Sequence, residues 1–207
     1  MPSSSSRSLL ALAALLIVAG CASVGPQRTV AVGDIHGEYD GFVSILRQAG
    51  VVDERLRWTD AGTTLVQTGD YVDRGAETRK VMDLLMKLER ARRSNVIVLL
   101  GNHELMNITR NLADVNPAQY AAFADGNSER RRQAGYRDYA ALRERLARRY
   151  AGSSLTVLSE DEWMAAHPPG FIEYAEALSR NGVYGRWLRT KRVMVKVGDS
   201  IFMHAGI

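Results

Sequence analysis

Short apolar runs rich in β-branched residues recur along this chain, and polar residues follow each of them at once. Runs of this length that are apolar almost throughout are typical of strands buried on both faces of a sheet. A glycine after such a run lets the backbone turn sharply and approach a ligand closely. The four runs are TVAV before Gly33, TTLVQT before Gly69, NVIVLL before Gly101 and SIFM before His204. We therefore predict four strands, each ending at a tight turn.

Stretches of helical period separate the first three runs. Their apolar residues recur at the spacing that places them on one face of a helix. These residues are Phe42, Ile45, Leu46 and Ala49 in the first stretch and Val81, Leu84, Leu85 and Leu88 in the second. The alternation of strand and helix predicts an α/β fold.

Residues 112–185 interrupt this alternation and predict a helical insert. Within the insert, apolar residues three or four apart mark one face of a helix. They are Tyr136, Tyr139, Leu142, Leu146 and Tyr150, and the other face carries Arg137, Arg143, Arg145, Arg148 and Arg149. This basic face fits either a solvated surface or an insert that leans over an anionic substrate.

The overall composition indicates one globular domain with a hydrophobic core. Of the 207 residues, 46% are hydrophobic and 24% charged, which excludes a disordered or fibrous chain. The net charge of +4 favours phosphorylated or otherwise anionic partners without identifying any of them. We expect no nucleic-acid partner, and the sequence predicts no particular oligomeric state.

The beginning of the chain has the pattern of an export signal. The apolar run at residues 9–20 is too short to span a bilayer and has the length of a signal-peptide core. The single cysteine, Cys21, follows the small-residue triplet VAG directly, an arrangement that resembles the lipobox of bacterial lipoproteins. We predict a signal peptide at 1–20 and a lipidated Cys21 with a tether at 21–28. The alternative is a plain secretory signal that happens to contain a cysteine.

The predicted lipid anchor would place the folded part beside a membrane and not inside it. Ala22 stands where sorting rules for such proteins look for an aspartate, which favours the outer membrane over the inner one. We therefore expect an exported bacterial lipoprotein that faces the periplasm.

Side chains suited to metal binding follow all four predicted strands. Because ligands of an open α/β sheet bind beyond the carboxyl ends of its strands, the four turns should converge on one place. Carboxylates, an amide and imidazoles suit a divalent ion such as manganese, iron or zinc better than a thiolate-bound structural zinc. Two such ions bridged by a carboxylate can clamp both oxygens of a phosphoryl transfer. The side chains are Asp34, His36, Asp70, Asp73, Asn102, His103 and His204.

The motifs GDIHG, GDYVDRG, GNHE and HAG, in this order, resemble the phosphoprotein phosphatase family of metallophosphoesterases, which has the calcineurin-like fold. The resemblance extends from Thr29 to the end of the chain. The stretches GNHELMN and GRWLRTKRVMVKVGDSIFMHAGI are most similar to the bacterial Shewanella-like phosphatases. The family implies a domain at 29–207 with mixed β-sheets sandwiched by helices. It also implies hydrolysis of phosphomonoesters, with phosphorylated proteins as substrates.

The resemblance implies which residues hold the metal ions. Asp34 and His36 would hold a first divalent ion, Asn102 and His204 would hold a second, and Asp70 would bridge both. A hydroxide that bridges the two ions would be the nucleophile.

The resemblance also implies how phosphate and protons are handled. Arg74 would bind phosphate oxygens through its guanidinium fork, and Asn102 would touch the phosphate as well. His103 would act as the general acid that protonates the leaving alkoxide, and Asp73 would orient His103 and support its charged form.

The stretch HELMN at 103–107 also resembles the H-E-x-x-H helix of zinc proteases. Asn107 stands at the position of the second histidine and cannot replace it as a zinc ligand, which excludes that reading. We expect Asn107 and Met106 only to pack on a helix face, and Glu104 to contribute no more than a supporting hydrogen bond.

In the family, a further metal-binding histidine and a further phosphate-binding arginine come later in the sequence than Ile207, together with strands of the second sheet. We therefore expect the C-terminal part of the fold to be missing from this chain and the second metal site to lack one ligand. Two other functions stay open. One is a dinucleoside polyphosphate hydrolase, which has the same motifs, and the other is a non-catalytic lipoprotein that retains a site for metal or phosphate.

Overall fold

A computed structural model of the chain describes residues 28–59, 62–150 and 156–206. The predicted signal peptide, Cys21 and all of the tether except Arg28 lie outside these residues. None of the helices within the described residues is long and apolar enough to cross a lipid bilayer.

Three parallel strands form the main sheet. They are β1 (Arg28–Val32), β2 (Thr63–Gln67) and β3 (Val96–Val98), and β2 lies in the middle. Leu65 of β2 pairs with Val30 of β1. The predicted α/β fold is therefore confirmed. The prediction of burial on both faces holds for β2 but is wrong for β1, which is an edge strand and largely exposed.

Two helices, α1 (Tyr39–Gln48) and α2 (Thr78–Ala91), connect the parallel strands. Their buried residues include Phe42, Val43 and Leu46 in α1 and Val81, Leu84, Leu85 and Leu88 in α2. The predicted apolar face of α2 is confirmed. The predicted face of α1 is wrong at Ile45, which is exposed, because the buried stripe of this helix runs through Val43 instead.

Within the described residues six helices follow β3. They are α3 (Asn102–Ile108), α4 (Pro117–Tyr120), α5 (Ser128–Arg149), α6 (Glu160–Ala166), α7 (Phe171–Ala177) and α8 (Val183–Leu188). The predicted insert contains α4 to α7 and the beginning of α8. The predicted helix is confirmed as α5, and Tyr136 on its apolar face lies against Trp163 of α6 with 6.0 Å between ring centroids. Farther along, Leu142 is 45% exposed, and Tyr150, which follows the last residue of α5, is 55% exposed.

The hydrophobic core continues from the sheet into the insert through aromatic rings. Tyr174 of α7 packs edge-on against Tyr120 and Phe123, with ring centroids 5.4 and 5.0 Å apart. Phe123 in turn lies 5.9 Å from the ring of Tyr184 in α8. These buried contacts join α4, α7 and α8 into one packed layer.

The last two strands, β4 (Met194–Val197) and β5 (Ser200–Met203), form a separate antiparallel hairpin. The run SIFM forms β5 as predicted, but this strand is only partly buried, so the prediction of a buried strand is wrong here. A parallel bridge between Leu99 and Arg192 joins the segment before β4 to the end of β3. This connection brings His204, which follows β5, to the turn after β3.

Candidate active site

The turns after β1, β2, β3 and β5 converge at the carboxyl edge of the main sheet. Asp70, which follows β2, lies at the centre of this convergence. Its Oδ2 lies 3.1 Å from Nε2 of His204. The same oxygen lies 3.8 Å from Nε2 of His36 and 3.9 Å from Nε2 of His103. Residues that are far apart in the sequence thus lie within about 4 Å of one carboxylate oxygen, as expected for the strand ends of an α/β sheet.

Two groups of donor atoms at this edge are close enough to hold a metal ion. In each group the atoms lie within 4.8 Å of one another, and Asp70 belongs to both. The groups are His36, Asp70 and His103, and Asp34, Asp70 and His204. Asp34 Oδ1 also lies 3.9 Å from His36 Nε2, the pair that the resemblance assigns to one ion. Asn102 Oδ1 lies 3.0 Å from His204 Nε2, the pair that it assigns to the other.

The chemistry of these donors fits divalent ions. Nδ1 of His36 lies 3.1 Å from the carbonyl oxygen of Val72, which accepts its hydrogen and leaves the Nε2 lone pair facing Asp70. The Asp70 carboxylate is buried, and a buried carboxylate requires a compensating positive charge or hydrogen-bond donors. Oxygen and imidazole donors without a thiolate suit manganese, iron or zinc.

Arg74 places a positive charge on the rim of the two donor groups. Its Nη1 and Nη2 lie 3.1 Å from Nε2 of His36 and 3.2 Å from Nε2 of His103. The backbone of Arg74 is held on both sides, since its N–H donates to the Asp114 carbonyl at 3.1 Å and its own carbonyl accepts from the Asn116 amide at 2.7 Å. The guanidinium fork is therefore positioned to bind an anion at the donor groups.

Among the described residues other than glycine, most of those with a left-handed backbone conformation belong to this site. A positive φ is uncommon for residues other than glycine, and strained positions cluster at functional sites because the surrounding structure holds them there. Such a conformation costs about 1–3 kcal/mol per residue. The site residues concerned are Asp34 (φ 52°), His36 (46°), Asp70 (55°), Asp73 (67°) and Arg74 (61°).

Glu104 organises the turn after β2. Its fully buried carboxylate accepts hydrogen bonds from the backbone N–H groups of Asp70, Tyr71, Val72 and Gly101, at 2.8 to 3.2 Å. Burial raises the pKa of Glu104 to about 7, and the backbone donors oppose that rise by stabilising the carboxylate. The expectation of a single supporting hydrogen bond is therefore wrong. A glutamate at the third position of a helix that follows a glycine is the signal that could have indicated this role.

Gly101 approaches the central carboxylate so closely that a side chain would displace it. A Cβ at Gly101 would lie 2.2 Å from Asp70 Oδ1. We expect Gly101→Ala to weaken the binding of divalent ions by about 10–100-fold and to lower the free energy of unfolding by about 1–3 kcal/mol. Isothermal titration calorimetry with Mn²⁺ and thermal unfolding measure the two effects. The matched control is Gly126→Ala, because a Cβ there meets no atom within 4 Å. Equal metal affinity in the two variants would contradict the prediction.

His103 and Asp73 form a buried pair, as the resemblance implies. Nδ1 of His103 lies 2.9 Å from Asp73 Oδ2. Because an ionised carboxylate only accepts hydrogen bonds, Nδ1 carries the hydrogen and Nε2 faces Asp70 and Arg74. The expectation that Asn107 only packs is wrong, since its Nδ2 donates to both oxygens of Asp73 at 2.8 Å. Asn107 comes four residues after His103 and so lies on the same face of α3, a spacing that could have indicated the contact.

A carboxylate shared by two donor groups can hold two cations side by side, an arrangement that stabilises the attacking and leaving oxygens in the hydrolysis of phosphate esters. The fold and this shared carboxylate point to the class of metal-dependent phosphoesterases. The chain belongs to the calcineurin-like phosphoesterase family, whose sequence pattern matches residues 27–206. The calcineurin-like family that the motifs indicated is therefore confirmed.

Two curated relatives carry the name of the Shewanella-like phosphatases. The chain is 31% identical over 193 residues to Shewanella-like protein phosphatase 2 of Arabidopsis thaliana, a match that covers 88% of this chain and 47% of the relative. It is 32% identical over 124 residues to Shewanella-like protein phosphatase 1 of Plasmodium berghei, covering 58% of this chain and 34% of the relative. The chain thus spans about half the length of these relatives or less.

Solved structures support the fold. The cold-active protein-tyrosine phosphatase of a psychrophilic Shewanella species superposes with a TM-score of 0.58 at 24% sequence identity. The match covers 88% of this chain and 43% of the solved one. The calcineurin-like fold is therefore shared along most of the chain.

Proposed function

We propose that this protein is a metal-dependent phosphatase that hydrolyses phosphomonoesters, with phosphorylated proteins as its substrates. The observation that carries the proposal is the position of Asp70, which both donor groups share and toward which Nε2 of His103 points. The similarity to two Shewanella-like protein phosphatases supports a protein substrate. The proposal covers phosphotyrosine as well as phosphoserine and phosphothreonine.

The residues that would hold two divalent ions are the members of the two donor groups other than His103, which acts as the proton donor in this proposal, together with the amide of Asn102. Ions bound there would supply positive charge to the phosphate and lower the pKa of a water molecule that attacks it. We include manganese, iron and zinc as candidates, because the donor set suits all three. The residues are Asp34, His36, Asp70, Asn102 and His204.

Two further residues of the chain act on the substrate itself in this proposal. Arg74 binds two phosphate oxygens through its guanidinium fork, a planar geometry that a lysine does not offer. His103 donates its Nε2 proton to the oxygen of the leaving alcohol as the bond from phosphorus to that oxygen breaks. Asp73, which accepts from Nδ1 at 2.9 Å, holds the imidazole in place and stabilises its protonated form. The products are the alcohol and inorganic phosphate.

The test compares substrates in the purified protein after loading with Mn²⁺, Fe²⁺ or Zn²⁺. We expect hydrolysis of a phosphopeptide that stops when a chelator removes the metal, and a slower reaction with diadenosine tetraphosphate. A preference for diadenosine tetraphosphate would favour the dinucleoside polyphosphate hydrolase. Absence of hydrolysis, together with one metal ion or none per chain, would favour a non-catalytic binding protein.

We also propose that the protein is exported and held at a membrane through a lipid on Cys21, at the outer membrane and facing the periplasm. The support is the sequence pattern of a signal peptide at 1–20 followed by a lipobox-like cysteine. A phosphatase in that place would meet substrates outside the cytoplasm, which argues against a cytosolic nucleotide as its substrate.

A further inference from the structure

A buried chain of hydrogen bonds runs from His103 to helix α7 of the insert. Nδ1 of His103 donates to Asp73, and Asp73 accepts at both of its oxygens from Nδ2 of Asn107. The hydroxyl of Tyr174 in α7 then donates to Oδ1 of Asn107 at 2.5 Å. Asp73 and Tyr174 are fully buried and Asn107 is 2% exposed, so water does not substitute for these partners.

In this series of hydrogen bonds, the chemistry of each group determines whether it donates or accepts. The Asp73 carboxylate only accepts, so the amide of Asn107 must turn its Nδ2 toward Asp73 and its Oδ1 toward Tyr174. A carbonyl oxygen cannot donate, so the Tyr174 hydroxyl must. Nδ2 also donates to the backbone carbonyl of His103 at 2.9 Å, which ties the amide to the same helical turn. Tyr174 of α7 therefore sets the orientation of the Asn107 amide, and this amide in turn orients the Asp73 carboxylate.

We propose that Asn107 and Tyr174 are positioning residues for the acid of the reaction. They hold the Asp73 carboxylate in the one rotamer that keeps Oδ2 against Nδ1 of His103, and so direct Nε2 toward the leaving group. This inference rests on the proposed function, in which His103 protonates the leaving oxygen. It gives the insert a role in catalysis, because Tyr174 comes from the insert and is 67 residues distant from Asn107 in the sequence.

The kinetic test uses the metal-loaded protein and two aryl phosphates that differ in their leaving group. Phenyl phosphate has a poor leaving group that needs a proton, whereas 2,4-dinitrophenyl phosphate has a good one that needs little help. We expect Tyr174→Phe and Asn107→Leu to lower kcat/KM for phenyl phosphate about 10-fold more than for 2,4-dinitrophenyl phosphate, because general acid catalysis is the part that is lost. A purely structural defect would lower both values equally and would overturn the proposal.

The control is a tyrosine from the same aromatic layer. The ring of Tyr184 is also buried, and its hydroxyl donates at 2.8 Å in a partly buried hydrogen bond to Asp83, which lies outside the site. Tyr184→Phe should leave the ratio of the two substrates unchanged. In a His103→Asn background, Tyr174→Phe should cause no further loss on phenyl phosphate, because residues that act through one another are not additive. Additive losses would also overturn the proposal.

A second measurement does not depend on activity. The hydrogen on Nδ1 of His103 is buried and hydrogen-bonded, so a proton NMR spectrum should show it protected from exchange with water. We expect this resonance to broaden or exchange faster in Tyr174→Phe and in Asn107→Leu, but not in Tyr184→Phe. Unchanged protection in the first two variants would overturn the positioning role. Loss of protection in a protein that hydrolyses no phosphoester would instead overturn the proposed function and leave the positioning of His103 supported.

Discussion

Replacing Asp70 with asparagine is expected to lower metal-dependent hydrolysis of phosphomonoesters by about 100-fold or more, because one carboxylate serves both donor groups. Oδ2 of Asp70 faces the Nε2 atoms of His36, His103 and His204. Its Oδ1 accepts from the backbone N–H of His103 at 3.1 Å. An asparagine of the same shape would lose the negative charge and would place an amide group among these atoms. Rates with a phosphopeptide and metal content per chain measure the effect.

The same experiment distinguishes a lost ligand from a damaged fold. We expect the unchanged protein to bind two metal ions per chain and Asp70→Asn to bind one or none. The matched control is Asp138→Asn, since Asp138 is exposed on α5, away from the sheet edge. It should retain both activity and metal content. Full activity of Asp70→Asn with two ions bound would show that the carboxylate is not needed as a shared ligand.

Replacing His103 with asparagine is expected to separate proton donation from metal chemistry. We expect kcat/KM for phenyl phosphate to fall by about 10²–10⁴-fold, the usual contribution of a positioned general acid. The loss on 2,4-dinitrophenyl phosphate should be much smaller, since its leaving group departs without a proton. Asparagine keeps a polar group near Asp73, whose buried carboxylate also retains the hydrogen bonds from Nδ2 of Asn107.

The control for this variant is the histidine of the insert. His167 stacks on Trp163 with 4.0 Å between ring centroids, and its Nδ1 lies 2.7 Å from the Trp163 carbonyl. We expect His167→Asn to alter only this local packing, which thermal unfolding measures, and to leave the ratio of kcat/KM for the two aryl phosphates unchanged. Equal losses of His103→Asn on both aryl phosphates would remove His103 as the acid and leave Arg74 and the metal ligands to account for activity.

The sequence was sufficient to predict those strands and helices whose formation depends on neighbouring residues. The apolar runs at residues 29–32, 63–68 and 95–100 correspond to β1, β2 and β3, and the face of α2 is as predicted. The residues that follow β1, β2 and β3 converge because these strands are parallel, a pairing that the intervening helices allow. Burial was harder to predict, because it depends on what covers a surface. Ile45, Leu142 and the strand β5 are apolar and yet exposed.

The roles of Glu104 and Asn107 show where reasoning from the sequence failed. Asn107 was expected only to pack, and Glu104 to contribute no more than a supporting hydrogen bond. Glu104 instead accepts from four backbone N–H groups in two different turns. Asn107 contacts Asp73, which is 34 residues distant in the sequence, and Tyr174, which is 67 residues distant. No periodicity reports contacts between segments this far apart.

By itself, the sequence determined the α/β class and the chemistry available at the strand ends, because strand period, turn-forming glycines and donor types are properties of neighbouring residues. The tertiary structure decided which donors share Asp70, which ring nitrogen carries the hydrogen in His36 and His103, and which partner holds Asp73. Those outcomes depend on distances of about 3 Å between distant parts of the chain. Packing of the insert against α3 sets these distances for Asn107 and Tyr174, and that packing is a property of the folded molecule as a whole.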